Sequence, residues 1–133
     1  MMSTIKSFLK QNKKNSENIK LKLDSFEEEI ELRIITGREY DRIQDKCYVN
    51  KPGRKGRQER VLDMSKFNNL LCSASVVVPD LQNAELQASY GVVGEQDLYG
   101  EMFTFAEHLK ILDTISNESG LDNFEELVDE AKN

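Results

Sequence analysis

Histidine occurs once in this 133-residue chain and cysteine twice, and no apolar run approaches the ~18 residues of a membrane-spanning helix. Each scarcity removes a class of function. His108 stands beside Glu107 in a helical stretch. Its companions at three and four residues' distance are Thr104, Phe105, Ile111 and Leu112, none a metal ligand, so it reads as a partly exposed surface residue. Cys47 and Cys72 read as reduced, mainly core-filling thiols rather than a disulfide or a nucleophile. Cys47, next to Lys46, is the more reactive of the two, but neither has a base beside it in sequence. Residues 1–14 lack the apolar core and small-residue cleavage site of a signal peptide, so cytoplasmic residence is expected. Glu125, Glu126, Asp129 and Glu130 do not follow the spacing of a calcium loop and read as a solvated face. Gly91-Val92-Val93-Gly94 lacks the lysine and preceding strand of a phosphate loop. No catalytic residue, metal site or cofactor is expected.

Basic residues are scarce only in the second part of the chain. Residues 61–133 carry three lysines against fourteen acids, whereas residues 1–23 and 33–60 are each basic by five charges and residues 24–32 acidic by five. The net charge of −6 disfavours nucleic acid as the main partner, because phosphate binding needs clustered Lys and Arg. The uneven distribution steers partners without fixing a fold.

The pattern predicts an α+β protein weighted to α. A short N-terminal helix and polar linker occupy residues 1–16, with Ser3 as cap and Ile5, Phe8 and Leu9 on one face. A single α+β domain over residues 17–133 follows, with a hairpin at 18–35 and a helical part at 36–133. In the hairpin Ile19, Leu21 and Leu23 alternate with lysines, and Ile30, Leu32 and Ile34 alternate with Glu29, Glu31 and Arg33. A short turn is expected at Asp24–Glu27. Thr36-Gly37-Arg38-Glu39 has capping-box spacing and opens a helix to about Tyr48, with Tyr40, Ile43 and Cys47 inward. Residues 50–57, with Pro52, Gly53 and Gly56, read as a mobile basic loop. A cluster of short helices is then expected: Asp63 to Val78, Asp80 to Tyr90 with Gly91 as its stop, Glu95 to Phe103, Phe105 to Asn117, and an acidic one from about Asp122. Leu81, Leu86, Tyr90, Leu109, Leu112 and Ile115 are expected in the core.

The stretch Ala74-Ser75-Val76-Val77-Val78-Pro79-Asp80-Leu81-Gln82-Asn83-Ala84-Glu85-Leu86-Gln87-Ala88-Ser89-Tyr90-Gly91-Val92-Val93-Gly94 resembles the central signature of XkdN-type phage tail assembly chaperones. So does the opening, through Ser3, Thr4, Ile5, Phe8 and Leu9, and the resemblance runs to about Gly120. It implies a non-catalytic assembly factor of Gram-positive phages and prophages. Such a factor coats the tape measure protein in the cytoplasm of the bacterial host before tail tube subunits polymerise, and is absent from the mature virion. A chain ending Glu130-Ala131-Lys132-Asn133 would be the short form of a frameshifted pair.

The residues fit that task. An apolar groove between short helices suits the recognition of amphipathic helices. The client-facing surface is expected around Val92, Val93, Leu98, Tyr99, Met102 and Phe103, where glycine-flanked helices leave apolar area open. A homo-oligomeric contact is expected between Lys51, Arg54, Lys55, Arg57 and Arg60 of one copy and Glu125, Glu126, Asp129 and Glu130 of the next. Two other classes compete: a structural tail or baseplate component, and a small phage regulator that binds nucleic acid through the basic loop at 51–60.

Overall fold

A computed structural model of the chain describes residues 4–14 and 17–118. Helix α1 (Thr4–Phe8) and a following 3-10 turn buried nothing of their own: none of their residues is buried. Ser3, Asn15, Ser16 and the acidic helix expected from Asp122 lie outside the described residues.

The alternation in the next segment forms strands β1 (Ile19–Leu21) and β2 (Ile30–Leu32). They pair antiparallel with Lys20 opposite Glu31, a favourable cross-strand pair. The strands are shorter than the alternating pattern. Leu23 leaves the sheet and is fully buried, Phe26 packs onto the core, and the Lys22 ammonium donates to the carbonyls of Leu23 and Phe26. The expected short turn falls at Asp24-Ser25, closed by the Phe26 N–H donating to Leu23 O at 3.3 Å, and Leu23 and Phe26 make the connection an apolar plug as well. Beyond β2, Ile34 is exposed and the chain turns into α2.

Helix α2 (Gly37–Asp45) is capped as expected, Thr36 Oγ1 accepting from the Glu39 N–H at 3.2 Å. Residues 48–62 form a two-stranded antiparallel ribbon, β3 (Tyr48–Pro52) and β4 (Gln58–Leu62), where a mobile loop was expected. Its tip explains the glycines. Gly53 N–H donates to Arg57 O at 2.6 Å, and a Cβ on Gly53 would stand 2.9 Å from that oxygen. Lys55 and Gly56 take φ of 58° and 72°, the left-handed region that a tight reversal requires.

Helix α3 (Met64–Ser75), capped by Asp63, ends three residues earlier than its apolar stripe. Val76–Val78 is strand β5, which pairs with β2 and makes the sheet order β1-β2-β5. Val77 and Val78 are exposed there. Three β-branched valines suit a pleated surface better than a helix end, and the distant strand β2 offers them a ladder. Pro79, joined to Val78 by a cis peptide bond, leads into α4 (Ala84–Ser89), α5 (Glu95–Met102) and α6 (Phe105–Glu118).

Two buried clusters meet at α3. One joins the sheet to α5 and α6 through Leu32, Cys72, Leu98 and Ile111; the other sets Phe67 and Leu71 against α2, with Tyr40 edge-on to Phe67 at 5.3 Å. Leu112 packs against both. The result is an α+β fold, mainly helical, with a short N-terminal helix and hairpin preceding several helices.

Candidate functional site

The turn between α4 and α5 is built by one side chain. Gln87 Nε2 donates to Leu81 O at 2.8 Å, and its Oε1 accepts from the Gly94 N–H at 3.0 Å. Gly91 and Gly94, at φ of 69° and 104°, supply the conformations that a Cβ would strain. Val93 is thereby held out at 88% exposure, while Val92 packs partly against the core. Gln87 was not singled out from sequence, because an amide inside a helical stretch carries no local sign of a partner seven residues ahead.

The other four residues expected on a client-facing surface are core. Leu98, Tyr99, Met102 and Phe103 are all buried, so they present no apolar area to a partner in this state. The reason is α5's contact with α3 and the cover that Phe26 provides, its ring lying edge-on to Phe103 at 5.9 Å. Tyr90 and Leu109, expected in the core, are exposed instead, as is Phe105 at 75%. Phe105 and Leu109 stand one turn apart on α6 and form an apolar strip on its outer face.

His108 is less isolated than the sequence suggested. Its Nδ1 lies 2.6 Å from the Tyr99 hydroxyl, and burial pushes its pKa below the ordinary value. Glu107 is buried as the second half of a full capping box, accepting from the Thr104 N–H at 2.9 Å while Thr104 Oγ1 accepts from the Glu107 N–H. Burial raises its pKa, but donors from Thr104 and the nearby Ser25 outweigh that and hold it below the usual carboxylate range.

The thiols are poor nucleophiles. Burial, moderated by Tyr99, pushes Cys72 up to about 12. Cys47, expected to be the more reactive, is buried, donates to Ile43 O at 3.1 Å and is also shifted up by burial. No group of three or more potential ligands converges on a metal position among the described residues.

The basic residues 51, 54, 55, 57 and 60 do come together, as an exposed ribbon. Lys51 faces Glu59 across it, and the Arg60 guanidinium sits 4.1 Å over the Tyr48 ring, a cation–π contact that orients the arm. Glu125, Glu126, Asp129 and Glu130, their expected counterparts, lie outside the described residues.

The geometry thus defines a mainly helical α+β protein whose distinctive chemistry is an exposed apolar and basic surface. The profile of phage XkdN-like tail assembly chaperones matches residues 5–132, and the chain belongs to that family. A family of this kind acts in the host during tail assembly, and among the described residues no helix is long and apolar enough to cross a membrane. The crystal structure of the protein yqbn, a structural genomics target, shares the fold with a TM-score of 0.66 at 13% identity, covering 92% of this chain and all of that one. No curated protein is a significant match.

Proposed function

We propose that this chain binds the tape measure protein of its phage or prophage, keeps it soluble in the bacterial cytoplasm and leaves before the tail is complete. The observation that carries the reading is membership of the tail assembly chaperone family across almost the whole chain. Exposed apolar side chains support it. Val93, Phe105 and Leu109 are available to the apolar face of a client helix without disturbing the core. Leu98, Tyr99, Met102 and Phe103 hold the scaffold beneath them. Each contact is weak, so many copies on one long client act by avidity and release readily. The role proposed is non-catalytic, and the basic ribbon is assigned to acidic protein surface, including residues 125–130 of a neighbouring copy held on the same client.

Co-expression with the tape measure protein, followed by size exclusion of the soluble fraction, tests this directly. Co-elution of soluble tape measure with several copies of the chain is expected. Insoluble tape measure beside a chain that elutes alone would defeat the holding role and favour a structural tail component, which would then be found in purified virions. The ribbon's shape gives the nucleic-acid reading its one specific support, since a two-stranded ribbon fits a major groove. Retention on duplex DNA that disappears on reversing Arg54, Lys55 and Arg57 would establish that reading.

A further inference from the structure

Helix α1 is amphipathic with its apolar side uncovered. Ile5 is 73% exposed and Phe8 80%, and Leu9 is exposed beside them. The Asn12 side chain donates to Lys6 O at 2.6 Å and the Asn12 N–H to Leu9 O at 2.9 Å, so the element is closed by its own hydrogen bonds. An isolated turn and a half of helix has little stability unless its apolar side is buried against something. The exposed Lys10, Lys13 and Lys14 that follow make the segment basic.

A surface of the opposite character lies on the body. Pro79, Asp80, Asn83, Glu85, Leu86 and Ser89 line a groove of about 390 Å³ beside the exposed Val78 of edge strand β5. Leu86 forms apolar floor continuous with the main core, and Asp80 and Glu85 supply negative charge.

We propose that α1 of one copy docks in this groove of a second copy, Phe8 and Ile5 against Pro79 and Leu86, with Lys10, Lys13 and Lys14 facing Asp80 and Glu85. Charge complementarity selects this occupant: the chain's own uncovered helix is apolar and basic, and the groove is apolar and acidic. Arm and groove are different surfaces, so the contact is heterologous and each joined pair still offers one free arm and one free groove. A row of copies forms without a closed dimer being required. The contact is small, so association is weak and concentration-dependent. It is independent of any client.

The full-length chain, without client, is examined by light scattering over a concentration series. Wild type gains mass with concentration. Ile5→Asp/Phe8→Asp, which disables the arm, and Glu85→Lys/Ser89→Arg, which disables the groove, each weaken association by about tenfold or more and run as monomers where wild type associates. Both sets of positions are exposed, and circular dichroism confirms that each variant is folded. Mixed together, the two variants form a one-to-one dimer that does not grow, because one intact arm meets one intact groove. A wild type that stays monomeric throughout, an arm variant that associates like wild type, or a mixture that stays monomeric would each overturn the proposal. Tape measure solubility is scored in a separate co-expression, so failure of the holding role is not confused with failure of this contact.

Discussion

Arg33 grips Glu39 with both guanidinium NH2 groups, at 2.9 and 2.7 Å, while its Nε donates to Ala74 O at 3.1 Å. One side chain thus ties the end of the first hairpin to the start of α2 and to the last turn of α3, near the point where that helix gives way to β5. Thr36 caps the same helix end through its Oγ1, and its backbone N–H adds to the Arg33 hydrogen bond in lowering the Glu39 pKa.

Glu39→Gln is expected to destabilise the protein by about 0.5–1 kcal/mol, a modest loss because both side chains are about one third exposed and solvent screens the pair. The Arg33 hydrogen bond holds the Glu39 carboxyl below its ordinary 4.5. The stabilisation is therefore complete above about that pH and disappears as the pH falls through the lowered value. Urea midpoints of wild type and variant should converge in acid and separate at neutral pH.

Tyr99→Phe removes the hydroxyl beside His108 and should cost about 1–2 kcal/mol, as the loss of a partly buried hydrogen bond does. Because burial lowers the His108 pKa, the unfolded chain takes up the proton first as pH falls below the ordinary 6.5. The contribution is thus full above 6.5 and declines below it. Denaturation at pH 7.5 and 5.5 should show a smaller drop in His108→Gln than in wild type.

Cys47 and Cys72 should resist a thiol reagent at pH 8 in the native protein and react together once it is unfolded in urea, because burial keeps both protonated. Rapid labelling of Cys47 alone in the native state would mean that the α2–α3 cluster opens locally.

Leu98→Ala should lower stability by about 2–5 kcal/mol, since it empties a fully buried site in the main core. Val93→Ser should change stability by less than about 0.5 kcal/mol and reduce the amount of soluble tape measure instead. Equal thermal midpoints for Leu98→Ala and wild type would contradict the packing of α5.

Thr104→Ala removes half of the capping box that starts α6 and should cost about 1 kcal/mol by thermal unfolding. The backbone N–H of residue 104 still donates to the Glu107 carboxylate, so only the hydroxyl half is lost, and Ser, which keeps the hydroxyl, should restore part of it.

Caps, stops and the first hairpin were legible in the sequence because they are local. Thr36, Asp63 and Gly91 act on backbone groups within a few residues, and the alternation of Ile19, Leu21, Ile30 and Leu32 needs only a period of two. The ribbon at 48–62 was not, because its glycines and proline carry the same signal for a loop as for the tip of a hairpin. Four of the six expected client-facing residues were misplaced for a different reason. An apolar residue on a short helix has no sign in its sequence of which neighbour will cover it. Phe26, from the distant first hairpin, covers Phe103, and among the described residues no comparable side chain covers Phe105.

The sequence by itself determined the family, the balance of helix over strand, and the polarity of charge, since these follow from composition and from contacts short in chain distance. Tertiary structure alone decided which apolar residues face water. Val76–Val78 became a strand because β2 lay open to pair with it, and Phe8 stayed exposed while Leu98 was buried because α3 packs on one and not the other. Burial depends on elements far apart in the chain, and no local pattern encodes that meeting.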